Sequence, residues 1–263
     1  MLIVQISDLH VTTPGRNVVP GVDTAALAAA AVQRIRALDE APDAVIVTGD
    51  LVDEVLPAEY AEAARILAMI DAPVYLVPGN HDDRAMIRSA LAGHGYLPPE
   101  GRFHYTVEGY PVRLLALDTL VDGQVHGTLG RDGLDWLDAR LSEQPDRPTL
   151  VFMHHPPFVT HLPVMDGWRL TDGPAMEAVV ARHRHVLRVV AGHVHRFVVA
   201  PFGGTIAMTA PPLCHAIALG PGDERGFPFY TLESPGMLLH RWDGERLTTQ
   251  LAQTTGDWEP RRF

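Results

Sequence analysis

An α/β fold with two packed, mixed β-sheets flanked by helices is what this chain predicts, and three observations predict it. Through the first third, short apolar runs alternate with longer helical stretches, the pattern of βαβ units around a parallel sheet. In the last third the runs are short and closely spaced between turn residues, so a second, largely antiparallel sheet is expected there. The length, 263 residues, suffices for one large domain with a well-buried core. A single domain over residues 1–263 is the expectation, with a C-terminal β-hairpin extension at about 236–252.

The elements follow in order. Residues 2–6 read as the first strand, and Asp23 is placed to cap an alanine-rich helix over 24–38, whose composition is explained by the helix propensity of alanine. Pro42 closes that helix, and 44–48 form the second strand. Pro57 suits the first turn of a helix over 58–70, Pro73 follows it, and 74–77 form the third strand. A short helix is expected over 84–91. The middle adds strands at 103–107 and 112–117, a helix over 133–143 and strands at 149–153 and 187–191. Four further runs, 205–209, 215–219, 237–242 and 247–251, are separated by Gly203-Gly204, Pro221-Gly222 and Asp243-Gly244. The last of these dipeptides, between two runs, is a hairpin signal.

Five clusters of metal-binding side chains stand at the ends of five apolar runs: Asp8-x-His10, Gly49-Asp50, Gly79-Asn80-His81, His154-His155 and Gly192-His193-x-His195. In open α/β sheets the loops beyond the carboxyl ends of the strands converge on a ligand. A lone Asp-x-His is ordinarily a solvated turn, but five such clusters in register form a set. Its mixed oxygen and nitrogen donors suit Fe, Mn, Zn or Co better than calcium or magnesium. Asp8 and His10 are two apart, as are His193 and His195, so in extended backbone each pair points one way. Gly49, Gly79 and Gly192 would let the backbone turn tightly beside the ions. Two ions need a shared ligand, and a carboxylate bridges better than an imidazole, which makes Asp50 the candidate bridge. Asp8, His10 and one histidine of the last cluster would complete one ion. Asn80, one of His154 and His155, and the remaining histidine would complete the other. Such ions sit roughly 3.5–4 Å apart, share a hydroxide of lowered pKa and stabilise an in-line displacement at phosphorus.

With Gln5-Ile6-Ser7-Asp8-Leu9-His10, Pro78-Gly79-Asn80-His81-Asp82, Phe152-Met153-His154-His155-Pro156-Pro157 and Gly192-His193-Val194-His195, the chain resembles the calcineurin-like metallophosphoesterases. Within them it is similar to the class III cyclic nucleotide phosphodiesterases and the bacterial glycerophosphodiesterases. The resemblance implies a sandwich of two mixed sheets and hydrolysis of a small phosphodiester. It implies a first metal on Asp8, His10, Asp50 and His195, and a second on Asp50, Asn80, His154 and His193, leaving His155 to pack or support. It implies that His81 contacts the phosphate and protonates the leaving oxygen, and that His215 lines the pocket. Members often form dimers or larger assemblies, and the hairpin with Trp242 and Trp258 nearby is a candidate interface. A phosphomonoesterase, a protein phosphatase, a nuclease or a non-catalytic scaffold of the same fold are the competing readings.

Other residues invite different readings. Asp53, Asp82 and Asp83 read as hydrogen-bonding supports or helix N-terminal carboxylates. His94, His104, His126, His161, His183, His185 and His240 lack supporting spacing and read as structural. The loop 156–173, with Phe158 and Trp168, and the segment 16–22 are candidate rims over the substrate, and Phe197 is a candidate leaving-group contact. The formal charge of −11, with acidic residues spread along the chain, argues against a duplex nucleic acid partner. The single cysteine, Cys214, permits no intrachain disulfide and predicts a reducing compartment and an inert, buried thiol. The N-terminus lacks the basic start and cleavage site of a signal peptide, and no apolar run is long enough to span a membrane. A soluble, cytoplasmic protein is expected.

Overall fold

The computed structural model describes residues 1–258, 261 and 262. Leu2–Ile6 (β1), Ala44–Val47 (β2) and Val74–Leu76 (β3) pair in parallel, joined by the crossover helices Thr24–Arg36 (α1) and Pro57–Leu67 (α2). The Asp23 carboxylate accepts from the Ala26 amide at 2.9 Å and starts α1, which buries Ala28, Ala31, Val32 and Ile35, one face at helical spacing. Beyond them come Arg84–Ala90 (α3), Tyr105–Val107 (β4), Arg113–Leu117 (β5), Gly130–Glu143 (α4), Thr149–Met153 (β6), Pro163–Asp166 (α5), Gly173–Val180 (α6) and Val186–Ala191 (β7). The chain continues through Val199–Phe202 (β8), Thr205–Thr209 (β9), Ala216–Ile217 (β10), Tyr230–Thr231 (β11), Gly236–Trp242 (β12) and Leu247–Gln253 (β13).

The strands form a five-stranded sheet, β13-β12-β1-β2-β3, a six-stranded sheet, β4-β5-β6-β7-β9-β8, and a separate pair, β10-β11. Both large sheets are mixed, as expected, but the second is not the antiparallel sheet that the last third suggested. Its centre, β5-β6-β7-β9, is parallel, and only the edges β4 and β8 run antiparallel. The hairpin β12–β13 instead lies beside β1 in the first sheet. Short runs between turns identify strands but not their partners. β1 is buried along its whole length, so its backbone donors and acceptors need a strand on both edges, and β12 supplies the second.

Four elements were not visible in the sequence pattern. α5 is a single turn within the stretch read as a loop, α6 begins Gly173-Pro174 and reads as loop, β8 carries Pro201, which an edge strand tolerates, and β11 has two residues. Trp242, a candidate for an interface, packs partly buried against the main core. Trp258 is exposed, with the Arg34 guanidinium 5.1 Å over its ring.

The main core lies between the two sheets, where Ile3, Ile46 and Leu238, on the same face as Gln5, look toward Leu114, Phe152 and Val190, and continues over the far face of the first sheet, where Val4, Ile6 and Val47 lie beneath α1 and α2. A second core packs α4 and α6 on the outer face of the second sheet. Gln5 ties the layers together: its amide donates to the Thr48 hydroxyl and the Ala191 carbonyl, each at 3.0 Å, while its oxygen meets His240 Nε2 at 3.1 Å. Among the described residues, no helix is long and apolar enough to cross a membrane.

Candidate metal centre

The five clusters meet at one rim, beyond the carboxyl ends of β1, β2, β3, β6 and β7. Their backbone is not extended, contrary to the expectation from the two-residue spacing. Asp8 (φ 54°), His10 (φ 43°), Asp50 (φ 51°), His193 (φ 71°) and His195 (φ 50°) all adopt the left-handed region, which disfavours side chains with a Cβ. Such strain costs on the order of 1–3 kcal/mol per residue and persists where the surroundings over-determine it. Here they do: the Leu9 and His10 amides both donate to the Asp50 carbonyl, at 2.9 and 3.0 Å, and the His193 amide donates to Asp8 Oδ1 at 2.9 Å. Gly192 fits because a Cβ there would stand 2.8 Å from the Thr48 carbonyl oxygen and 2.9 Å from Asp8 Oδ2.

One nitrogen of each of three imidazoles is occupied outside the cluster, which directs the other inward. His154 Nδ1 donates to the Thr48 carbonyl at 2.7 Å, His195 Nδ1 to the His215 carbonyl at 2.9 Å, and His10 Nδ1 faces the Asp53 carboxylate at 3.2 Å. His10 Nε2 and His195 Nε2 then stand 3.1 Å apart. Two bare lone pairs do not approach so closely without a cation, a proton or a metal ion, between them. On the other side His154 Nε2 lies 3.1 Å from Asn80 Oδ1 and 3.2 Å from His193 Nδ1. Asp50 joins the halves, its Oδ2 at 3.5 Å from His10 Nε2 and 3.4 Å from His154 Nε2. Asp8 Oδ1 lies 3.6 Å from His195 Nε2, and Asp8 Oδ2 is buried with no hydrogen-bond partner among the described residues.

The electrostatics describe a site built for positive charge. Burial pushes the Asp8 carboxyl up to about 6. Burial acts the same way on Asp50, but His154 and His81 outweigh it and hold that carboxyl well below its ordinary range. Burial works to lower His154, yet Asp50 keeps it up at about 9, so in the bare protein a proton sits where the field calls for a cation. His193 falls to about 3 through burial and then through repulsion by His154. The unpartnered Asp8 oxygen, the convergent imidazole nitrogens and the shared Asp50 therefore fit a pair of divalent ions.

Of the histidine pair at the end of β6, the fold brings His154 to Asp50 and Asn80, while His155 turns away and meets the Thr119 hydroxyl at 2.8 Å. Asp53 braces His10, as above. Asp82 accepts from the Gly79 and Leu51 amides at 2.9 and 3.2 Å and so ties two of the loops together, and burial beside Asp50 raises it to about 7. Asp83 caps α3, accepting from the Met86 amide at 2.8 Å. His81 stands edge-on to His10 with ring centroids 4.7 Å apart, and its Nδ1 donates to the Asp53 carbonyl at 2.9 Å. The His215 ring lies 4.9 Å from that of His195 and 5.7 Å from that of Tyr230.

The candidate rims divide. Trp168 and Val18 line the cavity of about 430 Å³ above the cluster, whereas Phe158 is buried in the core outside the second sheet. His161 is exposed. Phe197 is not part of the lining of that cavity; it lines a different one with Pro211 and Pro212. Among the histidines read as structural, His104 accepts from the Asp118 amide, His183 pairs with Asp138 and His240 meets Gln5, all outside the cluster. Cys214, read from the sequence as an inert buried thiol, is buried and stands beside the cluster, its Sγ 3.6 Å from His195 Nδ1. Asp118, buried at the end of β5, takes two hydrogen bonds from Arg84, at 2.6 and 2.9 Å, outside the cluster.

The family model of the calcineurin-like phosphoesterases matches residues 1–197. The chain belongs to that family. Over 265 residues it is 33% identical to the glycerophosphodiester phosphodiesterase GpdQ of Enterobacter lignolyticus, covering 98% of this chain and 94% of that protein. It is 31% identical over 212 residues to the 3',5'-cyclic adenosine monophosphate phosphodiesterase CpdA of Escherichia coli K12, covering 81% of this chain and 76% of the relative. A dimetal phosphatase from Danio rerio shares the fold with a TM-score of 0.64 at 17% identity, covering 97% of this chain and 99% of the other. As a calcineurin-like phosphoesterase the chain is a metal-dependent hydrolase of phosphate esters, and the polar cluster at its sheet rim could hold the metal.

Proposed function

We propose that the chain hydrolyses a small phosphodiester, such as a glycerophosphodiester or a cyclic nucleotide, with two divalent ions of Fe, Mn, Zn or Co. The observation that carries this reading is Asp50, a single buried carboxylate within 3.5 Å of imidazole nitrogens from both halves of the cluster. Asp8, His10, Asp50 and His195 would hold one ion; Asp50, Asn80, His154 and His193 the other. When bound, the ions supply Lewis acidity toward the phosphoryl oxygens and lower the pKa of water for attack at phosphorus. The chain's own residues do the rest. Asp53 fixes the His10 ring, Thr48 and His215 fix the tautomers of His154 and His195 through their carbonyls, and the cavity walls orient the ester. His81 Nδ1 is held by Asp53, which leaves Nε2 to protonate the departing alkoxide. The His215 side chain lines the substrate cavity beside His195.

The similarity to GpdQ and CpdA supports a diester over a monoester. A reducing, cytoplasmic setting is supported by the single, buried Cys214. A homo-oligomer is supported by apolar side chains left exposed, among them Phe229, Leu232 and Leu251. The test of function compares bis(p-nitrophenyl) phosphate with p-nitrophenyl phosphate, using protein loaded in turn with each of the four metals. Preferred turnover of the diester is expected. No turnover with any metal, or a clear preference for the monoester, would refute the reading.

A further inference from the structure

The cavity over the metal centre is chemically lopsided. Its floor is the cluster of carboxylates, Asn80 and imidazoles, whereas one wall is formed by Val125, Met165, Trp168, Ile217 and Phe227. None of these side chains is among the proposed metal ligands, although Met165 and Trp168 lie in the same connection between β6 and α6 as His154. Trp168 and Met165 follow β6, and Ile217 and Phe227 lie in or beside the small β10-β11 pair. The two meet directly: the Trp168 and Phe227 rings stand edge to face with centroids 6.2 Å apart, and Gly222 packs so closely on Val164 that a Cβ would come within 2.6 Å of its methyl. Beneath them Leu162, Met165, Val194 and Ile217 form a small buried cluster of their own. The wall is thus a packed surface rather than a loose loop.

Its chemistry selects by subtraction. Among the described residues no arginine lines this cavity, and the chain contains no lysine. A second anionic group on the substrate would find no guanidinium or ammonium here. The wall also lacks hydroxyl, amide and carboxylate side chains, so the hydroxyls of a polyol would lose water without gaining partners. Phe227 and Val125 remain 57% and 45% exposed at the mouth, apolar surface that an apolar ester group would cover. An aromatic ring suits the edge-to-face Trp168–Phe227 pair better still.

We propose that Trp168 and Phe227 determine specificity, and that the preferred substrate is a diester monoanion with an uncharged aryl or similarly apolar group on the alcohol facing this wall. Glycerol and charged alcohols are disfavoured there, even though the chain is similar to a glycerophosphodiester phosphodiesterase. This rests on the phosphodiesterase reading and narrows its substrate class.

Two substrates with one leaving group test it in the manganese-loaded chain: bis(p-nitrophenyl) phosphate and the p-nitrophenyl ester of glycerol 3-phosphate. The wild type should favour the diaryl ester at least about ten-fold in kcat/KM, a discrimination within the range of apolar pockets. Trp168→Ala and Phe227→Ala should erase most of that preference by raising KM for the diaryl ester more than they lower kcat, and Trp168→Phe should keep it. Preference for the glycerol ester, or an unchanged ratio in both alanine variants, overturns the assignment while leaving the phosphodiesterase reading standing. If neither ester is turned over, that reading fails on its own, and calorimetry on the same preparation still decides about the wall. Tighter binding of methyl phenylphosphonate than of its glycerol counterpart, lost in Trp168→Ala, supports the wall; equal binding overturns it.

Discussion

Asn80 Oδ1 faces His154 Nε2 at 3.1 Å and is the one neutral oxygen donor among the proposed ligands, so its loss should act on one ion and spare the other. Asn80→Ala is expected to lower bound metal by one ion per chain and to reduce kcat/KM at least 10-fold, since even residues that only brace a ligand account for about 10–100-fold. Metal analysis beside diester kinetics checks this, and full activity with full metal content would refute the assignment. At this scale much of the site was legible, because Asp8, His10, Asp50, Asn80, His193 and His195 are chemically conspicuous at the ends of apolar runs. The choice of His154 over His155 was not legible from spacing. It depends on which side chain the end of β6 turns toward Thr48 rather than Thr119. The left-handed backbone at five candidate ligands was equally hidden, since it is imposed by hydrogen bonds from distant loops and not by local residue preference.

Two elements carry predictions of their own. The turn after β7 seats Gly192 against the Thr48 carbonyl and Asp8. Gly192→Ala must therefore displace the loop that holds Asp8 or the one that holds His193, and overpacking of this kind typically costs about 1–3 kcal/mol. Lower metal affinity together with a lower melting temperature is expected; a variant with both unchanged would contradict the packing. The strand β12 carries His240, buried between Gln5 and Thr249. Burial, aided by Arg188, lowers its pKa from 6.5 to about 3. Because the folded value lies below the unfolded one, the unfolded chain binds the extra proton between those limits. The stability is fully present above pH 6.5 and is lost as pH falls toward 3, at roughly 1.4 kcal/mol per pH unit at most. The melting-temperature gap between wild type and His240→Gln should narrow steadily from pH 7 to pH 4, and a gap independent of pH would rule this out. β1, β2, β3, α1 and α2 could be read from periodicity within a few residues, as could the hairpin turn at Asp243-Gly244. The partner of that hairpin could not, because pairing is settled by which sheet edge needs covering and not by the strand itself.

For the whole molecule, two sheets face each other across a common core and both direct loops to the same rim. Asp8, Asp50 and Asn80 come from the first sheet, and His154, His193 and His195 from the second. The alternation of strands and helices made the layered class legible. The relative placement of the sheets was not, since it arises from inter-sheet contacts such as Phe152 and Val190 against the first sheet's strands that no local pattern encodes. The central claim is that this placement cages two ions around Asp50. Its most direct test is the metal-to-protein ratio, by plasma mass spectrometry, of manganese-loaded and desalted protein beside the Asp50→Asn variant. Two ions per chain in the wild type, with at least one lost in the variant, is the predicted result; a wild type that retains none, or a variant that retains both, would contradict it.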